Sequence, residues 1–264
     1  MIIRTVLTSD LSAVQNLICA SFNPFLHTYM VSIQQGAEYY LGVFVKFADF
    51  HPDRYLLLAE SESNELLGFA DFRLLDGGIG FLSNICVAEL ARGQGIAKNL
   101  ILRCLEHFPE IHTMQLDVFD NNHAAKTLYR KLGFQAVSHN FWLTRPCPDV
   151  STHEINQINL RFENLPSSIA NFEKYGFCEI FVSFRGRRIK VGRLGESVLR
   201  CFQPQDYADD MLLTELKCVF PLSKEAFIVI PMNSDIDGMI DSHRIVHSIR
   251  MSWNVSNNIS RETY

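Results

Sequence analysis

The spacing of apolar positions divides the first half of the chain into strand-like and helix-like segments. Ile2–Leu7 is a short run rich in β-formers. Thr8, Ser9 and Asp10 then offer the side-chain oxygens that start helices, and Leu11, Val14, Leu17 and Ile18 recur at helical spacing. His27 to Phe50, polar and aromatic, predicts one or two helices. Tyr55–Ala59, Glu65–Leu75 and Gly80–Val87 predict three strands, the last two joined by the turn Asp76-Gly77-Gly78. A helix from about Gly95 to His107, a strand Met114–Phe119 and a helix from about Asn122 to Leu132 follow. Two short strands, Phe134–Val137 and Phe141–Leu143, close this half. Strands interleaved with helices imply a mixed sheet covered by helices, an α/β fold.

Pro146 and Pro148 flank Cys147, and neither a helix nor a central strand continues easily through them, so a break falls near 146–152. Beyond it, Leu165–Tyr175 reads as a helix, Cys178–Phe184 and Arg188–Arg193 as a hairpin, and Ser197–Phe202 as a strand. Tyr207–Lys217 reads as a helix, and Ala226–Ile230 and Ile245–Trp253 as strands with a short helix between them. The expected domains are 1–146 and 152–264. Asn171-Phe-Glu-Lys-Tyr-Gly-Phe177 also echoes Thr127-Leu-Tyr-Arg-Lys-Leu-Gly-Phe134, although glycine is a common helix stop.

Composition narrows the class. The 264 residues are 47% hydrophobic and 20% charged, with a formal net charge of -5. That is the make-up of a packed globular protein without the basic surplus that would make nucleic acid or an anionic membrane its partner. The start carries Arg4 and Asp10 and holds too short an apolar run for a signal peptide, and no run reaches the ~18 apolar residues of a membrane helix. Seven scattered cysteines without a Cys-x-x-Cys pair suit reduced thiols and no metal site. The expectation is a soluble cytoplasmic protein.

The chemistry is concentrated after the third predicted strand, in Asn84-Ile-Cys-Val-Ala-Glu-Leu-Ala-Arg-Gly-Gln-Gly-Ile-Ala-Lys98. A strand, a loop with two glycines and a helix present unpaired backbone N–H groups at the positive end of the helix dipole, where a phosphate binds well. No Gly-Lys-Ser/Thr follows, so this is not a P-loop, nor is it a Gly-x-Gly-x-x-Gly fingerprint.

Arg92-Gly-Gln-Gly95-Ile-Ala97 fits the Arg/Gln-x-x-Gly-x-Gly/Ala signature of the GNAT N-acetyltransferase superfamily. Downstream, Asn122-His-Ala-Ala125-Lys-Thr-Leu128-Tyr129-Arg-Lys-Leu-Gly133-Phe134 resembles that family's second motif, Asn-x-x-Ala-x-x-Leu-Tyr-x-x-x-Gly-Phe. The resemblance covers roughly residues 1–145. It implies a mixed, mostly antiparallel sheet flanked by helices, with acetyl-CoA as co-substrate in a cleft where two parallel strands part. By that resemblance Ile85, Cys86 and Val87 would bond the pantetheine arm through their backbone. Backbone N–H groups of Arg92, Gly93, Gln94, Gly95, Ile96 and Ala97 would cradle the pyrophosphate, and Asn122 would hold the cofactor from the second helix. Tyr129 matches the tyrosine that protonates the leaving thiolate, a task suited to a phenol of pKa ~10. A general base is harder to place: Asp71, Asp117 and Glu89 are the acids in range, and Asp71 is taken as the candidate. Glu89 also stands where the family usually has a proline.

Other features read as structural. Arg185-Gly-Arg-Arg-Ile-Lys190-Val-Gly-Arg193 fits a polar hairpin better than an anion patch, although a contact with a CoA phosphate or acidic acceptor remains open. His243 and His247 lack a third ligand, and Asp235-Ile-Asp237-Gly238 lacks calcium-loop spacing. Cys86 packs as a small hydrophobe. Ser21–Tyr29 and Glu38–Leu41 occupy a region that walls the acceptor site in the family, or else pack two helices on the sheet.

The resemblance therefore implies transfer of acetyl from acetyl-CoA to the primary amine of a small molecule or peptide, by direct attack in a ternary complex. The alternatives are a non-catalytic CoA-binding regulatory module and a scaffold. Residues 152–264 read as a second α/β domain, a degenerate copy of the fold that has lost the glycine loop at Cys201-Phe-Gln-Pro-Gln-Asp206. Such a copy would serve as substrate wall, packing partner or homodimer interface.

Overall fold

The structure, a computed structural model, describes residues 1–149, 159–234 and 242–255. The Asp235–Gly238 stretch and the short helix expected before the last strand lie outside the described residues. The chain forms two compact units, and neither is one continuous stretch. The first comprises residues 1–23, 38–139 and 248–264; the second comprises 24–37 and 140–247. A linear division near 146–152 is therefore not the one the packing follows.

In chain order the elements are β1 (Ile2–Thr5), α1 (Leu11–Ser21), α2 (Ala37–Lys46), β2 (Arg54–Glu60), β3 (Leu66–Leu75), β4 (Ile79–Val87), α3 (Ile96–His107), β5 (Thr113–Phe119), α4 (His123–Leu132) and β6 (Gln135–Pro146). There follow β7 (Arg161–Phe162), α5 (Leu165–Tyr175), β8 (Phe177–Phe184), β9 (Arg187–Leu194), β10 (Val198–Cys201), α6 (Pro204–Ala208), α7 (Asp210–Val219), β11 (Glu225–Pro231) and β12 (His243–Asn254). The two short strands expected at 134–137 and 141–143 are one strand, β6. Its polar middle, Ser138-His-Asn140, resembles a turn in sequence, yet from Asn140 onward every residue has a partner in β11.

In the first unit β1, β2, β3 and β4 pair antiparallel in sequence order, β4 pairs parallel with β5, and β5 pairs antiparallel with the end of β12. The register of that last ladder runs from Ser248↔Phe119 to Asn254↔Thr113. This mixed, mostly antiparallel sheet buries one face under α3 and α4. Helix α3 contributes Ile96, Leu100, Ile101 and Cys104, and α4 contributes Tyr129 with Ala125, Leu128 and Leu132 around it. These are the i, i+4 and neighbouring positions that make one helical stripe. Trp253, Met251 and Ile249 of β12 join the same core, so the C-terminal strand is an integral part of the first unit.

The second unit repeats the pattern. Strands β7, β8, β9 and β10 pair antiparallel, β10 pairs parallel with β11, and β11 pairs antiparallel with the last part of β6. Each unit thus takes its terminal strand from the stretch that follows the other unit's helices. Where the first unit has its glycine loop, the second has only Phe202 and Gln203 between β10 and α6. Pro204 opens α6 and removes an N–H, and Asp206 in the first turn is buried and ion-paired to Arg187 at 2.8 Å. A carboxylate already occupies the end of α6 that a phosphate would need.

Residues 24–37 belong to the second unit. Of the one or two helices expected over His27–Phe50, α2 is present, and the part before it forms two 3-10 turns, Pro24–Tyr29 and Val31–Ile33. Tyr29 packs 5.0 Å from Phe227 and donates its hydroxyl to Glu225 Oε1 at 3.0 Å. Gly36 lies so near α5 that a Cβ would fall 2.0 Å from the Lys174 carbonyl oxygen. The Ser21–Tyr29 aromatics are thus divided between the two units after Asn23.

Candidate active site

The parallel ladder between β4 and β5 has only four rungs, Ile79↔Thr113 to Leu82↔Leu116. Beyond Leu82, β4 keeps its pairing with β3, from Asn84↔Asp71 to Val87↔Gly68, but has no further rung to β5. A register shift between Asp71 and Phe72 marks the departure, leaving Ser83 as an extra residue on β4. A bulge turns a strand away from its neighbour. The outcome is an open edge along Ser83–Val87, where the Ile85, Cys86 and Val87 backbone lacks a strand partner on one side among the described residues. The Ser83 hydroxyl is sealed at this point without a hydrogen-bond partner among the described residues.

The edge leads through a 3-10 turn, Glu89–Ala91, into the glycine loop. Gly93 and Gly95 both have φ +79°, a conformation that side chains resist, and a Cβ on either would meet nothing within 4 Å. These glycines are needed for backbone direction, and the space before them is open. No side chain caps α3, and its first backbone bond is Asn99 N–H to the Gly95 carbonyl at 3.0 Å. The N–H groups of Ile96, Ala97 and Lys98 therefore have no partner among the described residues. Successive amides at a left-handed turn and a helix start form an anion-binding concavity. The Arg92 and Gln94 side chains bond back to the Val87 and Leu90 carbonyls at 3.4 and 3.3 Å, which steadies the loop. The residues fit a pyrophosphate group: donors are free, no side chain blocks them, and a strand edge adjoins.

Tyr129 sits on α4, which Asn122 starts by accepting the Ala125 N–H at 3.1 Å and Gly133 ends at φ 103°. Asn122 Oδ1 is thus committed to the cap. The Tyr129 ring is buried against Phe134, centroids 5.5 Å apart, yet its hydroxyl has no partner among the described residues and is not one of the sealed polar atoms. The hydroxyl therefore keeps contact with accessible space. Burial raises its pKa well above the ordinary value, and the nearby Cys86 thiol adds to this. Cys86 is itself pushed up to about 11 by burial, against a hydrogen bond from Ser21 and the charge of Arg92. At neutral pH both groups hold their protons, so Tyr129 can act as a donor and Cys86 is no thiolate nucleophile.

The carboxylates behave differently from the expectation. Asp71 is 1% exposed and held bidentately by Arg54, Nε to Oδ1 at 3.0 Å and Nη2 to Oδ2 at 2.8 Å. The guanidinium lies 3.7 Å from the Phe44 ring centre and 5.6 Å from that of Tyr40. A sealed carboxylate with both oxygens in use cannot receive a proton from an arriving amine, so the role proposed for Asp71 is corrected to that of an internal ion pair. Asp117 is likewise held by Arg250, and Glu89 lies in the turn before the loop. Arg54 and Arg250 are the residues that sequence reasoning missed. The Tyr40 and Phe44 rings serve Arg54, which supports a packing role for the α2 aromatics.

The remaining expectations can be placed. Arg185 and Gly186, at φ 49° and 76°, form the hairpin turn between β8 and β9. His243 and His247 lie on a strand rather than a helix, and no group of three potential metal ligands occurs among the described residues. No described helix is long and apolar enough to cross a membrane.

A mixed sheet whose parallel pair parts beside a glycine-started helix presents a strand edge and backbone amides whose geometry suits an extended anionic ligand. Residues 13–134, a little under half of the chain, match the acetyltransferase (GNAT) family. A 60-residue stretch, 22% of the chain, is 38% identical to GCN5-related N-acetyltransferase 6, chloroplastic, of Arabidopsis thaliana, and spans only 21% of that relative. The fold likeness runs further. A GCN5-related N-acetyltransferase from Sphaerobacter thermophilus, 12% identical, superposes with a TM-score of 0.60 over 95% of this chain and 94% of that one. A protein from Pyrococcus horikoshii, 18% identical, gives 0.57 over 96% and 89%. The likeness in fold therefore extends over both units.

Proposed function

We infer that the chain is an acetyl-CoA-dependent N-acetyltransferase whose working site lies in the first unit and whose acceptor is a primary amine on a small molecule or peptide. The observation that carries this reading is the open β4 edge leading directly into uncapped amides at Gly93–Lys98. Acetyl-CoA would supply the activated thioester. The amides of Gly93 to Ala97 would hold its pyrophosphate, the backbone of Ile85, Cys86 and Val87 its extended arm, and Tyr129 would keep a proton at its hydroxyl for the departing sulfur. With Asp71 and Asp117 both held by arginines, the acceptor amine would lose its proton to solvent or to a water chain, and direct attack would occur in a ternary complex.

A second reading, CoA binding without turnover, draws support from those same two occupied carboxylates. Calorimetric titration of the full-length chain with acetyl-CoA, followed by an assay of thiol release against a panel of amines, separates the two. The enzyme reading expects one site per chain and amine-dependent thiol release. Binding with no release for any amine favours the second reading, and no binding near a millimolar overturns both. The second unit is expected to add no site, because Pro204 and Asp206 stand where its amides would be.

A further inference from the structure

Glu179 of β8 lies directly opposite Gly192 of β9, and Gly192 directly opposite Arg200 of β10, so the three share one row on one face of the second unit's sheet. Leu199 and Cys201, which flank Arg200 on β10, point to the other face and enter the core with α7. The missing side chain at Gly192 makes room: a Cβ there would come 3.1 Å from Arg200 Cβ and 3.7 Å from its Cδ. Arg200 thus extends across the glycine on the face away from that core. Its guanidinium lies 5.0 Å from the Phe202 ring centre, and Lys190 covers the same ring at 4.4 Å.

The charges on this face do not cancel. Glu179 Oε1 takes Lys190 Nζ at 2.7 Å, and Glu163 takes Arg188 Nε at 2.8 Å. Arg200 has no salt bridge and no hydrogen bond among the described residues, and it is partly buried. Glu179 is the carboxylate that faces it, but that charge is already matched by Lys190, so Glu179, Lys190 and Arg200 together carry +1. Burial accordingly lowers the Arg200 pKa, with Glu179 opposing only in part. A guanidinium presents five donors in a planar fork, and leaving them unmatched in a partly dry setting is costly. Stacking on Phe202 offsets some of that cost but supplies no acceptor.

We propose that this face of the second unit binds a small oxyanion, the carboxylate or phosphate end of a metabolite, in the fork of Arg200 beside Phe202. It is a site separate from the glycine loop and independent of the reading given above for the first unit. The anion would give an acceptor to a partly buried cation that has none among the described residues, and the planar fork matches the two oxygens of either group.

The test titrates the full-length chain with inorganic phosphate in one arm and succinate in the other, at constant ionic strength, following the arginine Nε–Hε resonances. The Arg200 signal is identified by its loss in Arg200→Lys. The expected result is a saturable shift of that one signal in at least one arm, and the arm that responds identifies the oxyanion class. Arg200→Lys should weaken binding at least about tenfold, since the fork is lost. Glu179→Gln removes the opposing charge and should tighten binding by about threefold. Gly95→Asp, which spoils the glycine loop, should leave the Arg200 shift in place. A non-saturating drift shared by all exposed arginines, or an affinity indifferent to both Arg200→Lys and Glu179→Gln, overturns the proposal. If Arg200→Lys does not fold, a single arginine signal that shifts saturably in the wild type and tightens in Glu179→Gln supports the proposal, and the absence of any such signal overturns it.

Discussion

Asp117 on β5 and Arg250 on β12, 133 residues apart, face each other across the antiparallel ladder and meet through two bonds, Nε to Oδ1 at 2.5 Å and Nη2 to Oδ2 at 2.7 Å. The guanidinium also lies 5.1 Å from the Phe81 ring centre on β4. The pair is part-exposed, so Arg250→Ala should cost about 1 kcal/mol and lower the melting temperature by only a few degrees. Ending the chain at residue 242 is a different matter. It removes Ile249, Met251 and Trp253 from the core of the first unit, each worth roughly 1.5–3 kcal/mol of burial, and leaves the β5 edge unpaired. Such a chain should show no cooperative melting of the first unit by calorimetry. A sharp transition near the full-length value would mean that the last strand is dispensable.

Asp71 and Arg54 make the opposite kind of pair, sealed from water and bidentate. Removing one partner strands a buried charge, so Asp71→Asn should destabilise by about 3–5 kcal/mol. The protein that remains folded at low temperature should keep the wild-type pH–rate profile. Loss of the alkaline or acid limb of that profile in Asp71→Asn would instead restore Asp71 as a base.

The contrast between these residues explains what was legible in the sequence. The glycine loop and the Asn122–Phe134 helix are written in consecutive residues, because a left-handed turn, a cap and a helical stripe are each fixed within about a dozen positions. The strand exchange is not. Ile249, Met251 and Trp253 alternate as an inward face whichever β-edge receives them, and the β5 partner lies more than a hundred residues back. The same holds for the carboxylates: Asp71 reads as a strand acid, and only the fold brings Arg54 within 3 Å of it. The polar Ser138-His-Asn140 stretch misleads in the same way, since polar positions within a strand mimic a turn when the pairing partner is unknown.

Tyr129 allows a sharper test, because its hydroxyl has no partner within the described chain while its ring is packed. Tyr129→Phe should leave stability within about 1 kcal/mol, since no hydrogen bond is lost. It should lower kcat by about a hundredfold or more while the acetyl-CoA KM changes little, as expected when a proton donor is removed. Turnover within a factor of about three of wild type would end the donor role. A matched rise in KM would make Tyr129 a binding wall instead.

Buried thiols give the fold an alkaline limit. Burial holds Cys86, Cys147 and Cys178 at about 11 each, and pushes Cys104 and Cys201 higher still. In the unfolded chain these thiols ionise near the ordinary value of 9.0. Between pH 9 and 11 the folded protein keeps protons that the unfolded chain releases, so unfolding sheds protons and stability must fall as pH rises. Below pH 9 both states hold the protons and the effect vanishes. Each such thiol removes at most about 1.4 kcal/mol per pH unit within that window. Urea unfolding should therefore give a midpoint that is flat from pH 7 to 8.5 and declines steeply above pH 9. Cys201→Ala should reduce that slope by one thiol's share. A midpoint unchanged up to pH 10.5 would mean that the folded state ionises these thiols as freely as the unfolded one.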